Sequence, residues 1–271
     1  MQSENRYQRI WASIVRVLDR SLPNWRQRIE AFGQVAAAER RSRNESWSDD
    51  EVLRALLLSV LSSNTDWSTV EKILPELPAR FDNYDISILA RTTDQLIESE
   101  IVPWFKQRRA CSQSLSNGLK NLVKACLILQ AWSDREGSAE SYFLRLLRVA
   151  NGDPKQAVIL LGTDPTWKLP GLGVPLAAEA LRNMGFDVCK PDRHICRALG
   201  SFQMVSFRNW NEDRKLPSPN KIEYLETMEV IERMSSIVHE RATFIDNAIW
   251  LLCARSGTGY TNEQLKRLSD G

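Results

Sequence analysis

No apolar run in this 271-residue chain reaches the ~18 residues that a membrane span requires. The opening segment, MQSENRYQRIWASIVRVLDR, spreads charge through an amphipathic pattern and lacks the uninterrupted apolar core of a secretory signal. The expectation is a cytoplasmic protein, nucleoid-associated if bacterial. Cysteine is sparse: Cys111, Cys126, Cys189, Cys196 and Cys253 show neither the short spacing of a zinc site nor that of an iron–sulfur run. Their odd number argues against a disulfide framework, so reduced core thiols are expected. There is no alternating strand series, no low-complexity tract and no internal repeat. A dominant charge is missing too. The net charge is +2, so a DNA-binding face would have to come from local clusters such as RQRIEAFGQVAAAERRSR or WFKQRR. Both read equally well as solvated helix faces.

What is present is helical pattern, almost everywhere. Apolar residues make up 43% and charged residues 26%, ordinary for a globular chain long enough for one large domain or two small lobes. Tyr7, Ile10, Trp11, Ile14, Val17 and Leu18 follow one helix face. Pro23 stops that helix, and the pattern predicts a second over residues 25–41. Ser48 with Glu51 forms a capping box ahead of VLRALLLSVLSS, which is apolar nearly all round and therefore central. Asp66 or Ser68 caps the next helix, and Thr93 opens DQLIESEIV. The segment SLSNGLKNLVKACLILQAW reads as a long helix with Leu119, Leu122, Val123, Cys126, Leu127 and Leu129 or Gln130 inward. Asp153–Pro154 start KQAVILLG with a cap and a first-turn proline. After a polar stretch over 209–220 come helices at about 221–235 and 239–255, then a short tail helix. The fold class is all-α.

LPGLGV, residues 169–174, joins two short helices. Gly171 and Gly173 can take positive φ and admit a ligand to bare backbone. Pro175 falls where the second helix begins, at a position that needs no N–H. The free amides around Gly171, Gly173 and Val174 form an anion site at a helix N-terminus. Taken alone, the motif is equally an ordinary glycine-capped turn. About twenty residues on, Asp192 stands at the mouth of RHICRALG.

This combination, LPGLG, then AAEAL, then PDRHICRALG, resembles the helix-hairpin-helix DNA glycosylase superfamily. LLLSVLSSNTDW, GLKNLVKACLIL and FIDNAIWLLCA are similar to further family segments, in order, across about 200 residues. The resemblance implies a two-lobed helical fold. A six-helix lobe would span 53–190 and end in the hairpin at about 165–185. A second lobe would be built from 1–52 plus 191–271, and DNA would lie across the cleft.

The resemblance also implies roles. Asp192 matches the catalytic carboxylate, which stabilises an oxocarbenium-like sugar and helps water attack; as a bare sequence feature it is equally a helix cap. Gly171, Leu172, Gly173 and Val174 would grip the DNA backbone. Bifunctional members carry a nucleophilic Lys two residues after the second hairpin glycine. Pro175 occupies that place, so the expectation is a monofunctional enzyme that leaves an abasic site; Lys168 and Lys190 are the candidates for a relocated amine. Asn64 sits where members carry the side chain that plugs the duplex after base flipping, and otherwise reads as a helix C-cap. His194 matches a structural histidine. Backbone carbonyls of Trp167, Leu169 and Leu172 match those that hold a monovalent cation, potassium or sodium; no other cofactor is required. The family's four-cysteine iron–sulfur loop has no counterpart.

The base pocket is the least legible part. Asp66, Trp67 and Trp104 are its candidates, and Trp47, Phe105 and Trp210 are further aromatics near helix ends; each also reads as a cap or as core. Alkylated purines, oxidised guanine and modified cytosines, including the glucosylated hydroxymethylcytosine of phage DNA, are the substrate classes. The last would imply anti-phage defence, the others base excision repair. The expected partner is double-stranded DNA, bound by a monomer. The competing readings are a non-catalytic hairpin module that only holds DNA, and a bifunctional glycosylase/lyase.

Overall fold

The computed structural model describes residues 2–208, 210 and 219–270. All regular structure among them is helical, with no strand. Most of the polar stretch over 209–220 lies outside the described residues. By contacts the chain forms two compact units, residues 41–184 and residues 1–40 with 185–271. These boundaries fall at 40/41 and 184/185, where the sequence reading had 52/53 and 190/191. Arg41 explains why the stretch before residue 53 belongs with the hairpin unit. Its guanidinium lies 4.1 Å over the Trp47 ring and ion-pairs with the buried Glu140. Its Nε and Nη2 donate to the Met184 carbonyl at 3.1 and 2.8 Å. Met184 is the C-cap of the second hairpin helix, so one side chain ties three segments together.

In the unit holding both ends of the chain, Gln2–Ser21 buries Tyr7, Ile10, Ile14 and Leu18 against Lys221–Val238, Ala242–Cys253 and Asn262–Asp270. Phe244 sits between Trp11 and Trp25, with ring centroids at 6.2 and 5.6 Å. The single helix expected over 25–41 is two, Trp25–Ala31 and Gln34–Ser42. Gly33, at φ +77, breaks it, because a left-handed residue cannot continue a right-handed helix. His239, expected to open the helix over about 239–255, instead ends the preceding one as the left-handed C-cap of Lys221–Val238.

In the other unit, Asp49–Leu61 is central, with nine of its thirteen residues buried, as its all-round apolar pattern requires. The Ser48 amide and hydroxyl both donate to Glu51, at 3.0 and 3.1 Å. The helix packs against Leu115–Glu136 and Val174–Asn183. In Leu115–Glu136, Leu119, Leu122, Val123, Cys126 and Leu129 are buried, but Leu127 is 53% exposed. Leu127 stands about 100° round the helix from Cys126, off the inward stripe. Gly118 and Gly162 let helices approach: a Cβ at Gly118 would meet Val60 at 2.7 Å, and one at Gly162 would meet the Val174 backbone at 2.8 Å.

Glu140→Ala removes the carboxylate from Arg41 and the acceptor from the Trp47 amide, which donates to it at 3.0 Å. The expected loss is about 3 kcal/mol, the range for breaking one side of a buried pair, read by denaturant unfolding.

Candidate active site

Asp192 is the N-cap of Arg193–Ser201. Its Oδ1 accepts the amides of His194 at 2.8 Å and Ile195 at 3.2 Å. Its Oδ2 accepts nothing among the described residues, and the side chain is half-exposed. The cap and the catalytic candidate are therefore one carboxylate with two separate edges: one oxygen fixes the orientation, the other keeps its lone pairs. Arg197, on the same helix, donates to the carbonyls of Cys253 at 3.0 Å and Tyr260 at 2.8 Å. It anchors this helix to the end of Ala242–Cys253 and to the loop before the tail helix. The sequence reading gave Arg197 no role.

His194 stacks edge-on to Trp250, ring centroids 6.3 Å apart. Burial lowers its pKa from the ordinary 6.5, opposed by the charge of Asp192. Its ring packs against Trp250. The nearby thiols are unreactive for the same reason: burial pushes Cys253 up to about 12 and raises Cys196 as well, with the Asp192 charge adding to the rise.

The hairpin lies in the other unit. Gly171 has φ +79, and a Cβ there would meet the Asn121 Cβ at 2.7 Å, so both backbone and packing demand glycine. Gly173 differs from expectation. It is extended, at φ −86, as the N-cap of Val174–Asn183, and a Cβ there would meet nothing within 4 Å. Nothing inside the protein requires glycine at this position. Both glycines are exposed, whereas Leu169, Leu172 and Val174 are buried anchors. The Leu172 amide donates to the Leu169 carbonyl at 3.2 Å, so it is turned inward; the amides of Gly171, Gly173 and Val174 have no such partner among the described residues. Pro175 is the second residue of its helix, where a missing N–H costs nothing. Tyr142 donates its hydroxyl to the Trp167 carbonyl at 2.7 Å and packs on the Trp167 ring at 5.4 Å. Burial pushes this phenol up to about 12, so it remains a donor. The carbonyls of Trp167 and Leu169 each keep one lone pair, which leaves a cation compatible with the set. Among the described residues no group of three or more His, Cys, Asp or Glu is placed to hold a metal.

Asn64 is exposed and left-handed, at φ 54. It is not the C-cap, which is Ser62. Asp66 caps Trp67–Ile73, its Oδ1 taking the Ser68 amide at 3.0 Å and hydroxyl at 2.9 Å. Trp67, half-buried, has no ring partner among the described residues. Trp104 is half-buried with the Arg108 guanidinium 4.1 Å over its face, and Arg108 is held by Glu76 at 2.6 Å. Trp47 and Phe105 are core, at 5% and 0% exposure. Trp210 packs on bare Gly200 and stacks on Phe207. Asp192 and Trp210 thus belong to one unit, and the hairpin, Asn64, Asp66, Trp67 and Trp104 to the other.

Two outcomes follow from this geometry. Gly171→Ala should cost at least about 1–2 kcal/mol for its left-handed backbone, while Gly173→Ala should leave stability within about 0.5 kcal/mol, both by denaturant unfolding. With a lowered folded pKa, His194 takes up its proton later in the folded chain than in the unfolded one as pH falls. Stability is therefore lost as pH drops below 6.5. Between about pH 7.5 and 5.5 the wild type should lose more Tm than His194→Gln.

No protein-family model matches the chain, and no curated protein matches it in sequence. Solved structures do match. The 8-oxoguanine DNA glycosylase of Thermotoga maritima has a TM-score of 0.57 at 17% identity, covering 94% of this chain and 99% of that one. The 8-oxoguanine DNA glycosylase of Methanocaldococcus jannaschii gives 0.57 at 18%, covering 93% and 94%. The 8-oxoguanine glycosylase/lyase of the same organism, in complex with a 15mer DNA containing 8-oxoguanine, gives 0.55 at 18%, covering 96% and 99%. Over nearly its whole length, this chain has the fold of the helix-hairpin-helix DNA glycosylases.

Proposed function

We propose that the protein is a monofunctional DNA glycosylase that flips a modified or damaged base from duplex DNA and hydrolyses its N-glycosidic bond. The observation that carries this reading is Asp192 Oδ2, uncommitted on a carboxylate whose other oxygen is locked by two amides, in a chain with this fold. As the C1′–N bond breaks, its electron pair leaves with the base and positive charge develops on the sugar. Oδ2 stabilises that charge and orients a water, whose oxygen bonds to C1′ while its proton passes to the carboxylate. An exposed hairpin with free amides serves to hold a phosphate, and exposed Asn64 serves as the plug. A monovalent cation at the carbonyls of Trp167, Leu169 and Leu172 would add positive charge beside that phosphate.

Pro175 argues for hydrolysis without lyase action, because its ring nitrogen sits in the peptide and offers no amine. Lys168 and Lys190 do not occupy its place. Trp67 is the aromatic best suited to stack on a flipped base, since Trp104 already carries Arg108 on one face. The base itself belongs to one of three classes: oxidised guanine, as in the names of the similar structures, alkylated purines, or modified cytosines. An anti-phage role follows if glucosylated hydroxymethylcytosine is the base removed.

Duplexes each carrying one such base are incubated with the protein and treated with hot alkali. Strand breaks are expected with one class, only after alkali, with no borohydride-trapped adduct. Asp192→Asn should slow the reaction at least about a hundredfold at unchanged duplex binding. Full activity in that variant would sink the assignment, and a trapped adduct would make the enzyme bifunctional.

A further inference from the structure

Asn121 lies outside the hairpin in sequence, on Leu115–Glu136, yet it is the residue that the hairpin turn touches. A Cβ on Gly171 would stand 2.7 Å from Asn121 Cβ and 3.3 Å from both its Cγ and Nδ2. The Asn121 amide is half-buried and makes no hydrogen bond among the described residues. Its side-chain N–H groups are therefore open to solvent or to a ligand. Its neighbours on the same helix face are Asn117, one turn before, and Lys124, one turn after; both are exposed, and Lys124 has no ion pair among the described residues. Lys120, off this stripe, is already neutralised by Glu98 at 2.7 Å. The exposed glycine turn therefore runs into a polar helix face whose first group is an amide with two unused donors.

We propose that Asn121 is a DNA-backbone residue, its side-chain amide donating to the phosphate held at the hairpin amides, with Lys124 meeting the next phosphate along the strand. This rests on the glycosylase reading. Asn is a suitable phosphate ligand: it gives a directional donor at a site too close-packed for a longer cation. Its contact reports position and not sequence, so it acts equally on modified and unmodified duplex.

The test measures duplex affinity against salt concentration for the full chain and four variants, with thermal melts of each. Asn121→Asp keeps the shape and the packing on Gly171 but replaces donors with negative charge. It should weaken binding more than tenfold, with the wild-type melting temperature. Asn121→Ala should weaken it about threefold to tenfold, equally on modified and unmodified duplex and without changing the salt slope, because no cation is removed. Lys124→Ala should reduce the slope by about 0.9. Wild-type affinity in Asn121→Asp, or loss in Asn121→Ala alone, overturns the assignment by reducing Asn121 to packing; loss in Asn121→Asp alone overturns the hydrogen bond. Gly173→Ala separates the two levels. If it and the Asn121 variants all bind as wild type, and wild type excises no base, the glycosylase reading itself has failed; if wild type excises and Gly173→Ala binds poorly while the Asn121 variants bind as wild type, only the role of Asn121 has.

Discussion

A carboxylate divided between two tasks is the constraint on which the candidate chemistry depends. Asp192 has to cap a helix to be held still, and it has to leave an oxygen uncommitted to act on a substrate. Oδ1 takes both amides, so the cap is complete without Oδ2. Such a cap stabilises by roughly 1 kcal/mol, so the orientation costs the fold nothing. Arg197 extends the restraint. By donating to two carbonyls of distant chain segments it prevents the helix from sliding, and with it the carboxylate.

The hairpin depends on a different economy, the omission of side chains. Gly162 admits the Val174 backbone, which sets the start of the second hairpin helix against the one before it. Gly171 admits Asn121 and supplies the left-handed turn. Gly173 does neither, and the space where its Cβ would stand is empty. Two glycines are thus explained by internal approach, and no contact among the described residues accounts for the third. Around it, the buried Leu169, Leu172 and Val174 fasten the loop so that its amides are presented without rearrangement.

Ionisable groups around these features are silenced by burial, not by pairing alone. The thiols of Cys196 and Cys253 are raised, the Tyr142 phenol is held as a donor to the Trp167 carbonyl, and His194 is lowered toward its neutral form. Asp192 is left as the side chain on its helix with both a fixed position and an open lone pair.

Most helices, the glycine turn and the capping Asp192 were legible in the sequence, because their causes are local. Apolar spacing placed the central helix, Ser48 with Glu51 marked its start, and an Asp before RHICRALG had to be a cap. Local causes also misled: the helical pattern read over 25–41 concealed the break at Gly33, and Leu127 looked inward until the rotation of its helix was known. The aromatics were ambiguous for the same reason. Trp47 and Trp104 both read as aromatics near helix ends, and only packing made one a floor for Arg41 and left the other half-exposed beneath Arg108. Asn121 and Gly162 carried no signal at all, since their importance lies in close approaches by other segments that leave no room for an added Cβ. The chain's own order of residues determined the helices, the turn and the capping carboxylate, each a matter of a few consecutive dihedrals and hydrogen bonds. Which lone pair stayed free, which glycine faced outward and which amide met the turn were decided by tertiary packing, because those are distances between residues far apart in the chain.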